Sequence, residues 1–420
     1  MRVVHLLRKY DPAEWGGTET AVQRLSDGLH QLGISPIMYC PRLNGGRGLR
    51  DRDGKNGFPI KRFKACVPVW GISRQQKRQF VAVGGNLMSF DLLAKLWWER
   101  EATLIHSHTM GRLGSIASVV AQARRLPFVL SIHGGLFDLP ATVKNGFNQT
   151  ARRGIDWGRL FGMLLRSRHL LSRADAILTC NPREAELVQA HYPHQRVQLL
   201  PNGIPFAVYQ EDHQVVAREA FPQIRDRQVI LCVGRIDPVK NQRWLVEQAS
   251  KVFTQHPNAL LVFAGASTDQ DYSHVLQQRI QKLGLAERIL FTGGLPGNDP
   301  RLLGLFRAAQ VVVLPSVSET FGLVLLEAWA SGTPVISSRT SGASSLVKQG
   351  ENGWLFDLET PSMFHEALAV ALQNPELRMQ LARAGAELVR AEYDVVSVAS
   401  RVKKLYEQLI EEKHALRHSA

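Results

Sequence analysis

Short apolar runs alternate with amphipathic segments along the chain, and this alternation limits the possible folds more than any other feature. "RVVHLL", "ISPIMYC", "TLIHSH" and "PFVLSIHG" are typical of buried strands, whereas "GTETAVQRLSDGLHQLG" and "GSIASVVAQARR" carry apolar residues at helical spacing. The pattern starts again at "QVILCVGRID" and continues through "ALLVFAG", "RILFTGG", "AQVVVLPS" and "PVISS". Strands that alternate with helices form mostly parallel sheets. The sequence therefore predicts an α/β protein with two doubly wound domains.

The domain boundaries follow from the point where the pattern restarts. We expect a first domain over residues 1–207 and a second over 208–395, because 420 residues are enough for two domains. The remaining segment, 396–420, is charged and amphipathic, and it is predicted to be a helix that can pack back on the first domain. Ligands bind at the carboxyl ends of parallel strands, so the loops there are the expected place for chemistry.

Positive charge is concentrated in the first half of the chain. Residues 1–207 contain 29 Lys and Arg against 14 Asp and Glu, a net charge of +15, while the whole chain carries +14. This asymmetry indicates an anionic partner for the first half, such as an acidic lipid, a phosphorylated acceptor or nucleic acid. Nucleic acid is the weakest of the three, because the sequence contains no recognition module for it.

Two stretches in the first half mix basic with aromatic residues: "IKRFKACVPVWGISRQQKRQF" and "RRGIDWGRLFGMLLRSRHLLSR". The second is predicted to be one basic amphipathic helix. A solvated face over an ordinary core explains each stretch equally well. Together with the net charge, however, they predict binding to an anionic membrane surface.

The opening "MRVVHLLRKY" has a short apolar run that is followed at once by charge, so we expect no export signal. We also expect no membrane-spanning helix, because no stretch approaches the ~18–20 apolar residues needed to span a bilayer. Cys40, Cys66, Cys180 and Cys232 lie far apart without metal-ligand or redox spacing, which is typical of reduced thiols. We therefore expect a cytoplasmic protein, or one held peripherally on the inner face of the plasma membrane.

Two strand-end loops can bind anions. In "EWGGTET", Gly16 and Gly17 allow close approach of the backbone, and the helix that follows begins with unpaired N–H groups; a plain glycine turn is the alternative. In "VGRIDPVKN", Arg235 and Lys240 are suited to a diphosphate, although two solvated surface cations would look the same.

The segment "PSVSETFGLVLLEAWASGTPVISS" holds two glutamates in an apolar setting. Glu319 precedes a predicted helix at the edge of the sheet, and Glu327 lies about two turns further along. A carboxylate on such a face is tolerated if it accepts hydrogen bonds from ligand hydroxyls. The alternative is a helix cap and a buried ion pair. The free N–H groups at the helix start can bind ligand oxygens; they belong to Phe321, Gly322 and Leu323.

These motifs, together with "SIHG" and "LPNGI" and in this order, resemble the retaining GT-B glycosyltransferases of family 4 (glycosyl transferases group 1). The resemblance implies two Rossmann-like domains that face each other across a cleft, with the nucleotide-sugar donor on the second and the acceptor on the first. Arg235 and Lys240 would neutralise the donor diphosphate. Glu327 would bind the ribose, while Glu319 and His133 would lie at the transferred sugar. The resemblance places the other donor positions at Gly17, Gly293, Leu295, Phe321, Gly322 and Leu323, and Asn202 in the cleft.

The implied function is transfer of a hexose-type sugar from a UDP- or GDP-sugar to a hydroxyl of a glycan or lipid-linked acceptor, with retention of configuration. The process would be cell-surface polysaccharide or glycolipid synthesis, with no cofactor. A non-catalytic sugar-nucleotide-binding partner subunit and a nucleotide-sugar epimerase of the same fold are the alternatives. Pro205 stands where the family commonly has an acid, and Ser344–Ser345 where it commonly has Pro–Glu. The element with Ser344–Ser345 shapes the donor side, so the identity of the sugar stays open. The base, the acceptor and the oligomeric state stay open as well, as does the choice between a nucleophilic and a positioning role for Glu319.

Three further patterns could suggest a metal ion. Asp51–Asp53 and Asp269–Asp271 spell D-x-D, but the first lies in a Gly/Arg-rich loop and the second at a predicted helix start. His106 and His108 lie on one side of a strand end, and zinc would need at least a third ligand. Because no third ligand is evident, we predict no metal site and place His108 in a polar wall on the acceptor side of the cleft.

Overall fold

The computed structural model describes residues 1–10, 16–42, 57–73, 87–134 and 155–418. The chain divides into two compact units. Unit 1 comprises Met1–Gly203 together with Val395–Ala420, and unit 2 comprises Ile204–Asp394. The boundary after Gly203 thus lies four residues before the boundary after residue 207 that the sequence predicts. All four cysteines are free.

Unit 1 is built on a parallel sheet of seven strands in the order β3-β2-β1-β5-β6-β8-β9. A short antiparallel pair, β4 and β7, lies apart from it. The strands are β1 Arg2–Leu6, β2 Ser35–Arg42, β3 Ile60–Lys64, β4 Val69–Trp70, β5 Leu104–Ser107, β6 Phe128–Ile132, β7 Ile155–Asp156, β8 Ala176–Thr179 and β9 Val197–Leu199. The helices are α1 Gly17–Gln31, α2 Phe90–Trp98, α3 Gly111–Ala123, α4 Arg159–Leu164, α5 Pro182–His191 and α15 Val395–His418.

The strands of unit 1 bury both faces, as a doubly wound sheet must. Val4 and Ile105 face one core with α2 and α3. Val3 and Leu104 face the opposite core, which also contains Tyr406 of the C-terminal helix α15. Helix α15 packs against α1 within unit 1.

The segment predicted to be one basic amphipathic helix over 152–173 is interrupted, and this prediction was wrong. From residue 155 onward it contains β7, the six-residue helix α4 and two 3₁₀ turns, Ser167–His169 and Leu171–Arg173. The helix ends where Arg166 adopts a left-handed conformation with φ of 47°. Burial of Leu165 and Leu170 accounts for the break, because the turn between them directs both side chains into the core.

Unit 2 is built on a parallel sheet of six strands in the order β12-β11-β10-β13-β14-β15. The strands are β10 Gln228–Val233, β11 Ala259–Ala264, β12 Ile289–Gly293, β13 Ala309–Leu314, β14 Val335–Ser338 and β15 Gly353–Phe356. The helices are α6 Phe206–Gln210, α7 Gln214–Ala220, α8 Gln242–Gln255, α9 Gln270–Lys282, α10 Pro300–Ala308, α11 Leu323–Ala330, α12 Ser341–Leu346, α13 Pro361–Gln373 and α14 Pro375–Leu388. 3₁₀ turns at Pro222–Ile224 and Ala286–Arg288 and a π-helical segment at Val389–Tyr393 complete the unit.

Each sheet reverses its strand order once. In unit 1 the reversal lies between β1 and β5, and in unit 2 between β10 and β13. Loops that leave neighbouring strands in opposite directions open a crevice at such a switch point, which is where doubly wound sheets bind ligands. No helix among the described residues is long and apolar enough to cross a membrane.

Candidate active site

The switch point of unit 2 brings together the charged residues singled out in the sequence. Arg235 and Lys240 follow β10, and Glu319 follows β13. The Lys240 ammonium forms an ion pair with the Glu319 carboxylate, which also accepts a hydrogen bond of 3.0 Å from the Ser316 hydroxyl. The two paired side chains are largely buried, with 20% and 12% of their surface exposed. Arg235 is more accessible, at 52%, and pairs with Asp237 at 3.1 Å.

Hydrogen bonds hold the two charged loops together. The Asp237 carboxylate accepts from the backbone N–H groups of Val239 and Lys240 at 3.0 and 2.9 Å, which fixes the loop after β10. The Val317 N–H then donates to the Val239 carbonyl at 2.8 Å, and this bond connects the loops after β10 and β13. Lys240 and Glu319 are therefore positioned by backbone contacts as well as by their own ion pair.

The loop that carries Glu319 leads directly into helix α11. Gly322 occupies the position before the helix with φ of +93°, a conformation that disfavours other residues. Behind the loop, the Gly342 N–H donates to the Glu319 carbonyl at 2.8 Å, and a Cβ on Gly342 would lie 2.6 Å from the Phe321 nitrogen. This close packing directs the start of α11, with Leu323 as its first residue, toward the carboxyl edge of the sheet.

The other residues of unit 2 that are predicted to contact the nucleotide-sugar donor lie in different surroundings. Glu327 is buried on α11, in the turn after the helix start. Gly293 ends the edge strand β12, and Leu295 lies in the loop that follows, which Tyr209 holds through a hydrogen bond of 3.2 Å to the Gly297 carbonyl. The structure thus brings Arg235, Lys240 and Glu319 together, while Gly293 and Leu295 lie at an edge of the same sheet.

Unit 1 contains a small cavity of about 20 Å³, which is lined by three of the site residues predicted in the first half of the chain. His108, His133 and Asn202 line it, together with Ser131 and Cys180. A cavity of this size has room for about one water molecule. Gly17 is not among its lining residues and is exposed at the first position of α1.

Four histidines cluster beside this cavity, at the switch point of the first sheet. The His108 ring lies between two others, with Nε2 2.9 Å from His5 Nδ1 and Nδ1 2.9 Å from His133 Nε2. His106 hydrogen bonds through Nδ1 to the Tyr406 hydroxyl at 2.6 Å and through Nε2 to Ser131 at 2.7 Å.

Burial keeps the four imidazoles neutral. It lowers the pKa of His5 to about 3 and that of His133 to about 4. It lowers the pKa values of His106 and His108 well below their ordinary range as well, and the neighbouring imidazoles add to the effect. A wall of uncharged rings can donate and accept hydrogen bonds without attracting a counter-ion.

His5 and Tyr406 were not predicted from the sequence. The expectation that His106 and His108 have no third ligand nearby was wrong. Over the ranges that the structure covers, His5, His106 and His108 have ligand atoms within 4.8 Å of one another and could hold a metal ion. The register of β1 and β5, which aligns His5 with His106, is the reason. Of the D-x-D patterns, Asp269 caps α9 by accepting from the Tyr272 N–H, whereas Asp51–Asp53 lies outside the described residues.

Comparison with known sequence families agrees with this arrangement. The profile described as "Glycosyl transferase 4-like domain" matches residues 16–203, and the one described as "Glycosyl transferases group 1" matches residues 216–388. The two matches cover most of both units. The chain belongs to the family 4 glycosyltransferases.

Curated relatives of this glycosyltransferase extend over nearly its full length. The D-inositol 3-phosphate glycosyltransferase of Corynebacterium glutamicum is 26% identical over an alignment of 408 positions, which covers 94% of this chain and 92% of the relative. The D-inositol 3-phosphate glycosyltransferase 2 of Catenulispora acidiphila is 29% identical over an alignment of 421 positions, gaps included, which covers 96% of this chain and 92% of the relative.

Solved structures support the fold. Sucrose-phosphate synthase from Thermosynechococcus elongatus superposes with a TM-score of 0.74 at 22% identity, over 98% of this chain and 99% of that one. Anabaena HepE in complex with UDP and glucose gives 0.70 at 18% identity, over 97% and 99%. Two Rossmann-like units with parallel sheets, as in GT-B glycosyltransferases, are therefore the fold of this enzyme.

Proposed function

We propose that this glycosyltransferase moves a hexose-type sugar from a UDP- or GDP-sugar to a hydroxyl of a glycan or lipid-linked acceptor, with retention of configuration and without a metal ion. Unit 2 binds the nucleotide sugar, and unit 1 binds the acceptor. The reaction belongs to cell-surface polysaccharide or glycolipid synthesis.

The observation that carries this proposal is the Lys240–Glu319 pair at the switch point of unit 2, with Arg235 beside it. A nucleotide diphosphate needs cations, and a departing diphosphate needs them more, because its charge grows as the bond to the sugar breaks. Lys240 and Arg235 supply two cations, and the N–H groups at the start of α11 supply further donors. Glu319 then accepts hydrogen bonds from the sugar hydroxyls and positions the sugar.

The proposed reaction needs no reactant besides the nucleotide-sugar donor and the acceptor. The bond between the anomeric carbon and the diphosphate oxygen breaks, and its electron pair stays on the diphosphate. The acceptor oxygen bonds to the same face of the anomeric carbon, and the acceptor proton passes to the departing diphosphate. Arg235 and Lys240 stabilise this leaving group, so that no separate protein base is required.

A phosphorylated polyol is a second candidate acceptor. The names of the two relatives specify D-inositol 3-phosphate, and the net charge of +15 on residues 1–207 would attract a soluble anion as well as an anionic lipid. Transfer assays with inositol phosphate and with a lipid-linked acceptor separate these two candidates.

Donor binding is the first test. At 100 times its dissociation constant, a nucleotide adds about 2.7 kcal/mol to the stability of the unit that binds it. For a unit the size of unit 2, this raises the melting temperature by roughly 5–10 °C. We expect this shift with UDP or GDP in wild type and in Arg243→Ala, a control on the exposed side of α8. The shift should be lost in Lys240→Ala, and an equal shift in both variants would contradict the assignment.

Turnover assays separate a glycosyltransferase from the two alternatives. A non-catalytic partner subunit would bind the nucleotide but would neither hydrolyse nor transfer the sugar. An epimerase would convert the donor with no acceptor present. We expect transfer that depends on acceptor, with slow donor hydrolysis in its absence.

Exposed aromatic and aliphatic side chains lie on α2, on α4 and on β4 of unit 1, and we name them together the aromatic patch. Phe90 of α2 packs against Phe161 of α4 with ring centroids 4.9 Å apart, and Trp70 of β4 lies 6.2 Å from Trp157, which precedes α4. The exposed members of the patch are Trp70, Phe90, Leu93, Trp97, Trp98, Leu160, Met163 and Leu164. Large exposed patches of this kind mark interaction sites, and tryptophan favours the membrane interface.

Basic residues border the aromatic patch, which favours an anionic membrane as its partner. Arg159 is exposed on α4, where it precedes Leu160, and Arg168 is exposed in the 3₁₀ turn that follows the helix. Lys61 and Arg62 are less available, because Lys61 pairs with Glu99 and Arg62 donates to the Tyr10 carbonyl. Such a surface would bring a lipid-linked acceptor to unit 1 without a membrane-spanning helix.

Co-sedimentation with liposomes tests this contact. Each basic residue at an anionic surface contributes about 1 kcal/mol, so the double variant Arg159→Gln/Arg168→Gln should bind acidic vesicles roughly 30-fold more weakly at low salt. The matched double variant Arg218→Gln/Arg225→Gln removes two exposed arginines from unit 2 and should bind as wild type does. Equal binding of wild type to acidic and neutral vesicles would leave a soluble acceptor as the better interpretation.

A further inference from the structure

Three imidazoles in unit 1 form an unbranched chain of hydrogen bonds. His5 comes from β1, His108 follows β5 and His133 follows β6. Two ring-nitrogen separations of 2.9 Å connect them, through His5 Nδ1 and His108 Nε2, and through His108 Nδ1 and His133 Nε2. The second nitrogen of His133, Nδ1, takes no part in the chain.

Neutral rings allow only two arrangements of protons in this chain. A neutral imidazole has one donor and one acceptor, so His108 donates to one neighbour and accepts from the other. If His108 donates to His133, then His5 donates through Nδ1 and His133 carries its proton on Nδ1. If the direction is reversed, His5 carries its proton on Nε2, and Nδ1 of His133 is bare.

The surroundings of His5 distinguish the two arrangements. His5 is fully buried, and its Nε2 has no hydrogen-bond partner among the residues that the structure describes. In the reversed arrangement this atom would be a buried N–H without an acceptor; in the first it is a bare acceptor. Buried orphan N–H groups are rarer in proteins than under-satisfied acceptors. The first arrangement, with the proton of His133 on Nδ1, is therefore favoured.

We propose that His5 and His108 are positioning residues that hold His133 in its Nδ1–H form, so that His133 donates a hydrogen bond to a sugar oxygen and does not serve as a base. The assignment of a sugar oxygen as the partner of His133 rests on the proposed function, whereas the proton arrangement does not. The low pKa of His133, about 4, is consistent with a donor that stays neutral during turnover. Because His108 uses both ring nitrogens in the chain, a metal ion bound by His5, His106 and His108 would have to displace these hydrogen bonds.

Nitrogen-15 NMR of the full-length protein, labelled at histidine and free of substrate, reads the proton positions directly. A protonated ring nitrogen and a bare one differ strongly in chemical shift, and the His133→Asn variant assigns the His133 signals. We expect Nδ1 of His133 to be protonated at pH 7.5. A neutral histidine that is free in water prefers the Nε2–H form, so an Nε2–H signature for His133 in wild type would overturn the inference.

Two substitutions of His108 then test the coupling. His108→Asn keeps an amide N–H near the position of Nδ1 and should keep His133 in the Nδ1–H form. His108→Leu removes the donor, so His133 should shift to the Nε2–H form, and kcat/KM should fall on the order of 10²-fold. His108→Asn should retain a larger share of the activity. Identical His133 signals in both variants would contradict the coupling.

Two further outcomes distinguish this inference from the proposed function and from a metal site. If the proton positions are as expected but His133→Gln transfers sugar as fast as wild type, the role of His133 in the proposed function fails and the chain of imidazoles stands. If Zn²⁺ alone, at micromolar concentration, shifts the signals of His5, His106 and His108 together, the cluster is a metal site and the inference is overturned.

Discussion

Mild acid should destabilise unit 1 through its buried histidines. His5, His106 and His108 are nearly or fully buried, and burial lowers the pKa of each far below the value of about 6.5 that it has in the unfolded chain. The groups nearest to them are His133, Ser131 and the Tyr406 hydroxyl. Below pH 6.5 the unfolded chain takes up protons that the folded unit does not, so the free energy of unfolding falls as the pH falls. The loss continues until the folded pKa values are reached, at about 3 for His5.

The size of the effect follows from proton counting. Between pH 7.5 and 5.5, a histidine that is neutral in the folded state and titrates at about 6.5 when unfolded costs about 1.4 kcal/mol. His5, His106 and His108 together cost about 4 kcal/mol, and His133, whose pKa burial lowers to about 4, adds about 1.4 kcal/mol. The total is a large part of a typical stability of about 5–15 kcal/mol. With an m-value of about 3 kcal/mol/M in urea, the unfolding midpoint of unit 1 should fall by about 2 M.

Urea titrations at the two pH values measure this loss. Hydrogen exchange followed by mass spectrometry assigns the transition to unit 1 through peptides from β1 and β5. His106→Gln removes one titrating group, so it should be less stable at pH 7.5 but lose about 1.4 kcal/mol less on acidification. His194→Gln, at an exposed position, should leave the pH dependence unchanged. A loss below about 1 kcal/mol in wild type, or the same pH dependence in wild type and His106→Gln, would refute the reasoning.

Three further outcomes are expected. Arg235→Ala should lower kcat/KM on the order of 10²-fold with the fold intact, and turnover within about threefold of wild type would contradict its role at the diphosphate. EDTA should leave sugar transfer unchanged, because Arg235 and Lys240 supply the positive charge; an activity that is lost in EDTA and restored by Mn²⁺ or Mg²⁺ would show a metal requirement. Gly342→Ala should destabilise unit 2 by about 1–3 kcal/mol and slow transfer, since its Cβ would collide with backbone atoms of the Glu319 loop. Gly162→Ala, where a Cβ meets only ordinary contacts, is the control, and equal melting temperatures in the two variants would contradict this packing argument.

The parts of the structure that depend on local sequence were predictable. Strands such as "QVILCV" and "AQVVVL" are continuous apolar runs, and the chain alternates them with amphipathic helices, so the parallel sheets follow from periodicity. The start of α11 follows from the turn at "SETFG", and its end from Gly332, which has φ of +78°. Arg235, Lys240 and Glu319 could be placed at one edge because each lies in a loop that leaves the carboxyl end of a strand.

The parts that depend on strand order were not predictable from local pattern. His5 is one polar residue in an apolar strand, and nothing near it in the sequence indicates that β1 lies next to β5. Tyr406 reaches His106 from 300 positions away in the chain. The break at Arg166 is also tertiary in origin, since the local composition favours a longer helix but the burial of Leu165 and Leu170 determines the turn.

The two switch points differ in charge. This difference supports the proposal that unit 2 binds the nucleotide-sugar donor and unit 1 binds the acceptor. In unit 2, Lys240 forms an ion pair with Glu319 and Arg235 with Asp237, an arrangement suited to a diphosphate and a sugar. In unit 1, the rings of His5, His106, His108 and His133 stay neutral and are held by hydrogen bonds. A neutral wall of donors and acceptors can bind hydroxyl groups without the desolvation cost of an unpaired charge. The aromatic patch and its arginines, in contrast, lie on the exposed surface of unit 1. In the proposed function their positive charge would attract an anionic partner, while the imidazole wall would bind hydroxyl groups.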